Sequence, residues 1–277
     1  MNTQASHAGT MQQVQGNGVP DPDSLPTLKG AVSEEEWKLR CDLAATYRLA
    51  AHFGWDDLIF THISVRLPDE NGKARFLLNP YGLFFDEITA SSLIKIDMDG
   101  NLVAESPYFS NPAGFTIHSA LHLGRDDAHC VLHLHTPYGV AVSVQEGGLK
   151  RYTQFSMVVN DDVAYHDYEG IATDLDERDR LVRDIGSHHY LMLKNHGTLT
   201  VGEDCATAFL RMYFLEQACK TQILAQADTV PPTELPAEMS AKVHGQAEPS
   251  LRPDLGPRLV WGGLMRKLAR VNPGHDL

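Results

Sequence analysis

The sequence predicts an α/β domain in which helices cover a central sheet that includes antiparallel strand pairs. Segments with helical spacing of apolar residues alternate with short β-rich runs along the chain, which is the first observation behind this prediction. A capping box formed by Ser33 and Glu36 marks the start of the first helix. Asp99-Gly100 lies between two apolar segments, and this pattern is a strong signal for a β-hairpin.

The remaining elements follow from the same patterns. Apolar residues at steps of three and four predict that the first helix runs from Ser33 to the glycine at position 54. Strands are predicted at residues 58–66, 76–78, 93–103 (as a hairpin), 130–135, 163–165, 190–193 and 199–201, and further helices at residues 114–123, 138–144, 177–185 and 204–227.

Both ends of the chain differ from its centre in composition. Residues 1–30 are rich in Gln, Asn, Gly, Ser and Pro and lack periodicity, which predicts a mobile tail. Residues 31–228 carry the predicted core domain. After residue 229 prolines interrupt the pattern, and only residues 259–268 regain helical spacing. We expect residues 229–277 to form an arm that packs on the core or on a neighbouring subunit.

Charge and composition exclude several classes of function. The net charge of −13 argues against binding nucleic acid or an anionic membrane surface, because both need a basic face. The sequence contains no apolar run of about 18 residues that would span a bilayer, and no secretory signal is visible. The four cysteines lack C-x-x-C spacing and lie in apolar stretches, so we interpret them as reduced thiols of a cytoplasmic protein.

Three histidines carry the main indication of chemistry. His133 and His135 lie two apart on a predicted strand, so both side chains are expected on one face while the neighbouring leucines enter the core. His196 ends another apolar strand and is followed by a glycine. Together they have the pattern of a three-histidine metal site, and histidines bonded to backbone groups are the alternative. Imidazole suits zinc, iron, copper and nickel, so the ligands leave the metal open.

Three further histidines have less specific patterns. His118 and His122 lie four apart on one face of a predicted helix, and no glutamate follows the first of them as in zinc proteases. His118 is either a fourth ligand, a substrate contact or a buried histidine bonded to the backbone. His62 lies on an alternating strand, where it has either a structural role or a contact with the substrate.

All of these histidines except His122 belong to a set of motifs by which the chain resembles the class II aldolase/adducin family from about Leu43 to Leu224. The motifs are Thr61-His62-Ile63-Ser64-Val65-Arg66, Asn79-Pro80-Tyr81-Gly82, Asn111-Pro112-Ala113-Gly114-Phe115-Thr116-Ile117-His118, Val131-Leu132-His133-Leu134-His135-Thr136-Pro137, Ala164-Tyr165-His166-Asp167-Tyr168-Glu169-Gly170 and Lys194-Asn195-His196-Gly197. The resemblance implies a three-layer α/β/α sandwich around a mixed, largely antiparallel sheet. It also implies a homotetramer with active sites at subunit interfaces, and a metal ion held by His133, His135 and His196.

The sequence departs from the sugar-phosphate aldolases of this family at the positions that carry their reaction. Gly114 stands where those enzymes have a catalytic glutamate, and Thr61-His62 and Pro112-Ala113 replace the pairs that hold phosphate. Because a general acid or base is commonly worth about 10²–10⁴ in rate, a phosphosugar aldolase is not expected.

The chain also resembles the bacterial oxygenases of aminocoumarin antibiotic biosynthesis. This resemblance implies a 2-oxoglutarate-independent, non-heme iron(II) dioxygenase that uses O₂ to convert a prenylated 4-hydroxyphenylpyruvate to the mandelate and then to the 4-hydroxybenzoate. Fe(II) would be held by the three histidines, and the substrate would be a small aromatic 2-oxo acid. His62, His118, Phe115 and Tyr138 are the expected substrate contacts.

Two other functions remain open at this stage. One is a zinc-dependent aldolase or decarboxylase that acts on an unphosphorylated oxo acid. The other is a non-catalytic binding protein like adducin, which this resemblance places in the same family. Adducin-type proteins continue into a long basic tail, whereas this sequence has an acidic balance.

Overall fold

Seven strands form one sheet in the computed structural model, which describes residues 19–70, 72–172 and 174–277. The strands are β1 His62–Glu70, β2 Lys73–Leu78, β3 Ile94–Asp97, β4 Cys130–Leu134, β5 Val163–His166, β6 Tyr190–Leu193 and β7 Gly197–Gly202. Their order is β3-β2-β1-β4-β7-β6-β5. Only β5 and β6 pair in parallel among these strands, and every other neighbouring pair is antiparallel.

Helices cover both faces of this sheet. They are α1 Glu34–His52, α2 Pro112–Gly124, α3 Pro137–Ser143, α4 Gln154–Val159, α5 Glu177–Ile185, α6 Cys205–Gln226, α7 Ala237–Leu251 and α8 Gly256–Val271. Leu132 and Leu134 of β4 share a core with residues of α1, α6 and α8, whereas Val131 packs with residues of α2 and α5. The predicted α/β/α sandwich with a mixed, largely antiparallel sheet is therefore confirmed. None of the helices within the described ranges is both long and apolar enough to span a bilayer.

Both ends of the described chain lie against the central part. Residues 1–18, which include most of the predicted mobile tail, lie outside the described residues. Beyond them, the Pro20 carbonyl accepts a hydrogen bond from the Tyr108 hydroxyl at 3.0 Å. At the other end, Leu268 of α8 is fully buried in the core that contains α1, and Arg48 donates to the Pro273 carbonyl at 2.6 Å.

The largest differences from the predicted strands lie in two segments. The predicted strand at residues 58–66 begins at His62, because Leu58 and Thr61 have left-handed backbone angles, with φ of 51° and 66°. The predicted hairpin at residues 93–103 contains one strand, Ile94–Asp97, and a single bridge on its return limb. The Asp97 carboxylate accepts the backbone N–H groups of the turn, and these bonds draw the return limb out of the ladder.

More of the chain after residue 229 is helical than the sequence predicts. Ala237–Leu251 forms a helix although its sequence contains Pro249. Pro236 precedes the first turn, where its missing N–H would have no helical partner, and Pro249 falls in the last turn. Val243, Ala247 and Leu251 pack on a core cluster of the domain, so tertiary contacts stabilise a helix whose apolar stripe is narrow.

A buried ion network joins α1 to the edge of the sheet. Glu36 binds Arg40 at 2.9 Å and Lys95 at 2.8 Å. The Arg40 guanidinium also donates to the carbonyls of Ala90 and Leu93, and it is 2 % exposed. Removal of the carboxylate would therefore leave buried positive charge without its counter-charge.

We expect Glu36→Ala to lower the free energy of unfolding by about 3–5 kcal/mol, because the change leaves Arg40 uncompensated in the core. Urea denaturation at neutral pH measures this loss. Ser33→Ala is the matched control, since it removes the cap of the same helix and is expected to cost about 1 kcal/mol. Equal losses for the two variants would contradict the predicted role of the ion network.

Candidate metal centre

The sheet places His133 and His135 at the end of its central strand. All residues of β4 are buried, and the strand is paired with β1 on one side and β7 on the other. His133 is 1 % exposed, while His135, just beyond the strand, is half-buried. The period of two sends Leu132 and Leu134 to the opposite face, as the sequence predicts.

His196 reaches the same place from the tight turn between β6 and β7. Its backbone N–H donates to the Leu193 carbonyl at 3.1 Å, and Asn195 takes a left-handed conformation with φ of 58°. Gly197 is required for close approach, because a Cβ there would lie 2.5 Å from the Leu134 carbonyl oxygen. The glycine thus allows the turn to pack directly on the end of β4.

The three histidines meet in one cluster. One ring nitrogen from each of His133, His135 and His196 lies within 4.8 Å of the other two. The Nε2 atoms of His133 and His135 are 3.1 Å apart. Nitrogens bound to a tetrahedral zinc at its usual bond lengths are separated by about 3.3 Å, so this spacing suits a shared metal ion.

Hydrogen bonds at the outer nitrogens orient two of these rings. His133 Nδ1 lies 3.1 Å from the Thr198 carbonyl oxygen, and His135 Nδ1 lies 3.1 Å from the Asp57 carboxylate. A carbonyl and a carboxylate accept hydrogen bonds, so both rings carry their proton on Nδ1 and present a bare Nε2 to the cluster. Such outer partners are a regular feature of metal-binding histidines.

Lowered pKa values of two of these rings favour the binding of a cation. Burial, followed by the neighbouring imidazoles, holds the pKa of His133 well below its usual range. The same causes lower the pKa of His196 to about 4. Both rings are therefore neutral at physiological pH, with lone pairs available to a divalent ion.

Sequence reasoning missed both outer partners. The residues that adjoin His135 and His196 in the sequence are Thr136 and Asn195, and neither is an outer partner among the described hydrogen bonds. Thr136 instead donates to Glu216 at 2.5 Å, and the backbone of Asn195 donates to the Ser143 carbonyl. Asp57 is distant in sequence from His135, and Thr198 acts through its main chain, so no side-chain pattern indicated either of them.

A second group of buried histidines adjoins the cluster. His62 lies directly opposite His133 in the pairing of β1 with β4, and the two ring centroids are 5.1 Å apart. His62 Nδ1 lies 2.9 Å from His118 Nε2, and His118 Nδ1 is bonded to the Ser64 hydroxyl. Both nitrogens of His118 are thus occupied, which leaves neither to act as a fourth metal ligand.

The two aromatic candidates pack on the core clusters. Phe115 stacks on Phe76 of β2 with ring centroids 6.4 Å apart, and it belongs to the cluster that contains α1. Tyr138 of α3 is partly buried against a core cluster that includes residues of α3 and α6, and the Lys220 ammonium lies 5.7 Å from its ring centroid. Neither ring makes a described contact with the three histidines.

A small cavity beside His196 is lined by residues for which sequence patterns indicated no individual role. His166 Nδ1 lies 2.7 Å from the Asp184 carboxylate, and its Nε2 faces Glu177 at 3.4 Å. Tyr168 lies at the same cavity, with its ring centroid 6.3 Å from that of His196. The cavity extends the polar surroundings of the histidine cluster towards α5.

A match to a known family accompanies this geometry. The sequence model of the class II aldolase and adducin N-terminal domain matches residues 41–223. The chain belongs to the class II aldolase/adducin family. That membership agrees with the seven-stranded sheet and its covering helices.

Relatives in this family include both aldolase-named proteins and adducins. A Caulobacter vibrioides protein named "Putative aldolase class 2 protein" is 52 % identical over 257 residues, which cover 91 % of this chain and 98 % of the relative. Mouse alpha-adducin is 39 % identical over 241 residues, covering 84 % of this chain but 32 % of the relative. The match to adducin is therefore confined to about a third of that longer protein.

Solved structures show the same fold. An aldolase II superfamily protein from Pseudomonas syringae has a TM-score of 0.84 and 44 % identity, covering 91 % of this chain and all of that one. L-fuculose 1-phosphate aldolase from Glaciozyma antarctica has a TM-score of 0.74 and 26 % identity, covering 92 % of this chain and 99 % of the other.

The expectation of a non-heme iron(II) oxygenase in antibiotic biosynthesis is wrong. The relatives bear aldolase or adducin names, and the structural neighbours described above are aldolase-type proteins. The expectation rested on a resemblance to those oxygenases, together with the missing carboxylate at Gly114. That absence removes one acid–base group but supplies no residue that binds or activates dioxygen.

A buried carboxyl lies next to the metal-site segment. Glu216 of α6 is 3 % exposed and accepts the hydrogen bond from Thr136, which follows His135 and caps α3. Burial raises the pKa of Glu216 to about 7, although the hydrogen bond from Thr136 opposes the shift. The folded protein therefore holds this proton more tightly than the unfolded chain does.

We expect the free energy of unfolding to fall as pH rises, because Glu216 then loses this proton. Because the folded pKa is above the unfolded one, the contribution is fully present below about pH 4.5 and is lost as pH rises towards about 7, with a slope of up to about 1.4 kcal/mol per pH unit. Glu216→Gln should remove that slope in urea denaturation of metal-free protein between pH 5 and 7. Glu238→Gln on the exposed side of α7 is the control. Identical pH profiles for Glu216→Gln and the unaltered protein would refute the prediction.

Proposed function

We propose that the protein is a zinc-dependent lyase that cleaves a carbon–carbon bond of an unphosphorylated hydroxy-oxo acid by an aldol-type reaction. The observation that carries this proposal is the cluster of His133, His135 and His196, whose ligand atoms lie within 4.8 Å of one another. Three protein ligands with an open coordination position are typical of catalytic zinc sites. The aldolase names among the relatives and structural neighbours support the reaction class.

In the proposed reaction the C3–C4 bond of a 4-hydroxy-2-oxo acid breaks. The hydroxyl proton leaves as C4 becomes an aldehyde, and a proton is returned to C3, which becomes the methyl group of pyruvate. A bound zinc ion would polarise the keto oxygen and stabilise the negative charge that develops during cleavage. The Thr198 carbonyl and the Asp57 carboxylate hold His133 and His135 in the orientation that such an ion requires.

The residues around the cluster favour a substrate without phosphate. Asp57, which bonds His135, is acidic and would repel a phosphate dianion. Lys194 adjoins the cavity beside His196, but its ammonium is paired with Asp167 at 2.6 Å. Tight phosphate binding usually needs unpaired cationic or backbone N–H donors, and the replacements at Thr61-His62 and Pro112-Ala113 remove the family's phosphate-holding pairs.

The test combines metal analysis with a substrate panel. Elemental analysis of protein purified without chelators gives the metal content, and lactate dehydrogenase coupling detects pyruvate released from 4-hydroxy-2-oxo acids with and without a terminal phosphate. About one zinc per chain with oxygen-independent release of pyruvate from the unphosphorylated acids would support the proposal. Bound zinc without release from any acid of the panel would refute the reaction.

The second candidate is a non-catalytic binding role of the adducin type. The 39 % identity to mouse alpha-adducin over 84 % of this chain favours it. Absence of bound zinc together with absence of turnover in the same experiment would decide for this candidate.

We predict that His133→Ala abolishes zinc binding and pyruvate release, since it removes the most buried ligand. Asp57→Ala should weaken zinc affinity by about 10–100-fold, because the His135 ring loses its orienting partner. Competition with a fluorescent chelator measures both effects. His129→Ala, at an exposed histidine on the same segment, is the control. Retained zinc in His133→Ala with a folded circular dichroism spectrum would remove that residue from the site.

We further propose a homotetramer with the sites at subunit interfaces. Leu58, which follows Asp57, is 62 % exposed, and Tyr168 near His196 is 55 % exposed. Exposed apolar side chains beside a polar site are typical of an interface. We expect Leu58→Asp to lower the mass measured by light scattering, whereas Leu224→Asp, at a residue 56 % exposed on α6, should leave it unchanged. An unaltered mass for Leu58→Asp would place the interface elsewhere.

A further inference from the structure

A chain of hydrogen bonds runs through the buried histidines behind the metal cluster. It starts at the Ala128 carbonyl, which lies 2.7 Å from His122 Nδ1. His122 Nε2 lies 2.6 Å from the Ser64 hydroxyl, which is also bonded to His118 Nδ1. His118 Nε2 in turn lies 2.9 Å from His62 Nδ1. His118 and His122 are completely buried, and His62 is 3 % exposed.

The first acceptor fixes the direction of the whole chain. A carbonyl oxygen only accepts, so His122 carries its proton on Nδ1. Burial lowers the pKa of His122 to about 4, so this ring is neutral at physiological pH and its Nε2 accepts from the Ser64 hydroxyl. Ser64 must then accept from His118 Nδ1, and His118 Nε2 must accept from His62 Nδ1.

This direction sets the state of the last ring in the chain. His62 carries its proton on Nδ1, so its Nε2 has a lone pair, and none of the described residues donates a hydrogen bond to it. Gly114 packs against the same edge of the ring, where a Cβ would lie 2.8 Å from His62 Cδ2 and 3.3 Å from Nε2, so the glycine leaves space beside this nitrogen. The His62 ring centroid lies 5.1 Å from that of His133, and Nε2 is an acceptor without a donor among the described residues.

We propose that His62 is a specificity-determining residue that contacts the substrate, and that its bare Nε2 accepts a hydrogen bond from a substrate hydroxyl next to the metal-binding oxo acid group. This inference rests on the metal site proposed above. A carbonyl or carboxylate oxygen at the same point would face a lone pair and be disfavoured, since neither group brings a proton. The site thus selects oxo acids that carry a hydroxyl over their deoxy analogues.

The tautomer is tested directly in the unaltered protein. Nitrogen-15 and carbon-13 correlation spectra of histidine-labelled protein at neutral pH distinguish protonated from unprotonated ring nitrogens. His62, His118 and His122 are all expected with the proton on Nδ1, and the His62 resonances are assigned by their loss in His62→Asn. A proton on His62 Nε2 would overturn the inference, whether or not the protein binds zinc or cleaves any substrate.

Selectivity is tested with two probes that differ by one hydroxyl, hydroxypyruvate and pyruvate. Calorimetry on zinc-loaded protein should show that hydroxypyruvate binds about three- to tenfold more tightly, as expected for one hydrogen bond. In His62→Asn the amide nitrogen takes the position of Nδ1 and can still donate to His118, but no atom replaces Nε2. We expect this variant to retain zinc and to bind both acids equally. His52→Asn, at an exposed residue ending α1, is the control and should keep the preference.

A substitution away from the substrate distinguishes an effect of the hydrogen-bond chain from an effect of packing around His62. Ser64→Ala removes the link between His118 and His122, so the direction set by Ala128 no longer reaches His62. It should reduce the preference for hydroxypyruvate while zinc stoichiometry stays the same. Equal affinity of the unaltered, zinc-loaded protein for both acids, or binding of neither, would overturn the inference. Failure of pyruvate release alone would refute the lyase and leave this selectivity standing.

Discussion

The pairing of β4 on both sides is the constraint on which the site depends. Hydrogen bonds to β1 and β7 fix which residue of β4 lies opposite which neighbour, so that His133 faces His62 on one side and Leu199 on the other. Because side chains alternate, a slip of one residue would send His133 into the core and bring a leucine to the cluster. The apolar residues of β4 are packed against helices on both faces, which makes such a slip costly. The same packing that stabilises the sheet therefore positions His133 in the histidine cluster.

The position of His196 also depends on the sheet, because the backbone of its turn packs directly on the end of β4. Its turn is tight because Asn195 is left-handed and because Gly197 has no side chain to collide with the Leu134 carbonyl. Two of the clustered histidines thus come from the end of one strand and the third from the turn just before its neighbour, without any long loop. The rigidity of such a cluster follows from the ladder that holds both segments.

Local patterns were sufficient to predict the sheet-forming runs and the three clustered histidines, because alternation along β4 and an apolar strand ending at His196 are visible in sequence. They were insufficient where one partner lies far away or acts through its backbone, as for Asp57 and Thr198. The start of β1 was misplaced for a related reason, since the left-handed angles at Leu58 and Thr61 carry no glycine signal. Ala237–Leu251 was missed because tertiary packing, not helical propensity, stabilises it.

The ligands alone do not determine the chemistry of such a site, and this is why the oxygenase expectation failed. Three neutral imidazoles accept several divalent metals, so selectivity for a reaction must come from the groups that surround them. Around this cluster those groups are coupled. The ring of His62 fills the space that any side chain at position 114 would need, so a glycine there and a histidine at position 62 accompany each other on steric grounds. The tautomer of His62 is set in turn by the Ala128 carbonyl, to which a chain of three hydrogen-bonded residues connects it. A change at position 114 therefore cannot be read as the loss of one group, because it also determines whether the His62 ring fits beside the histidine cluster.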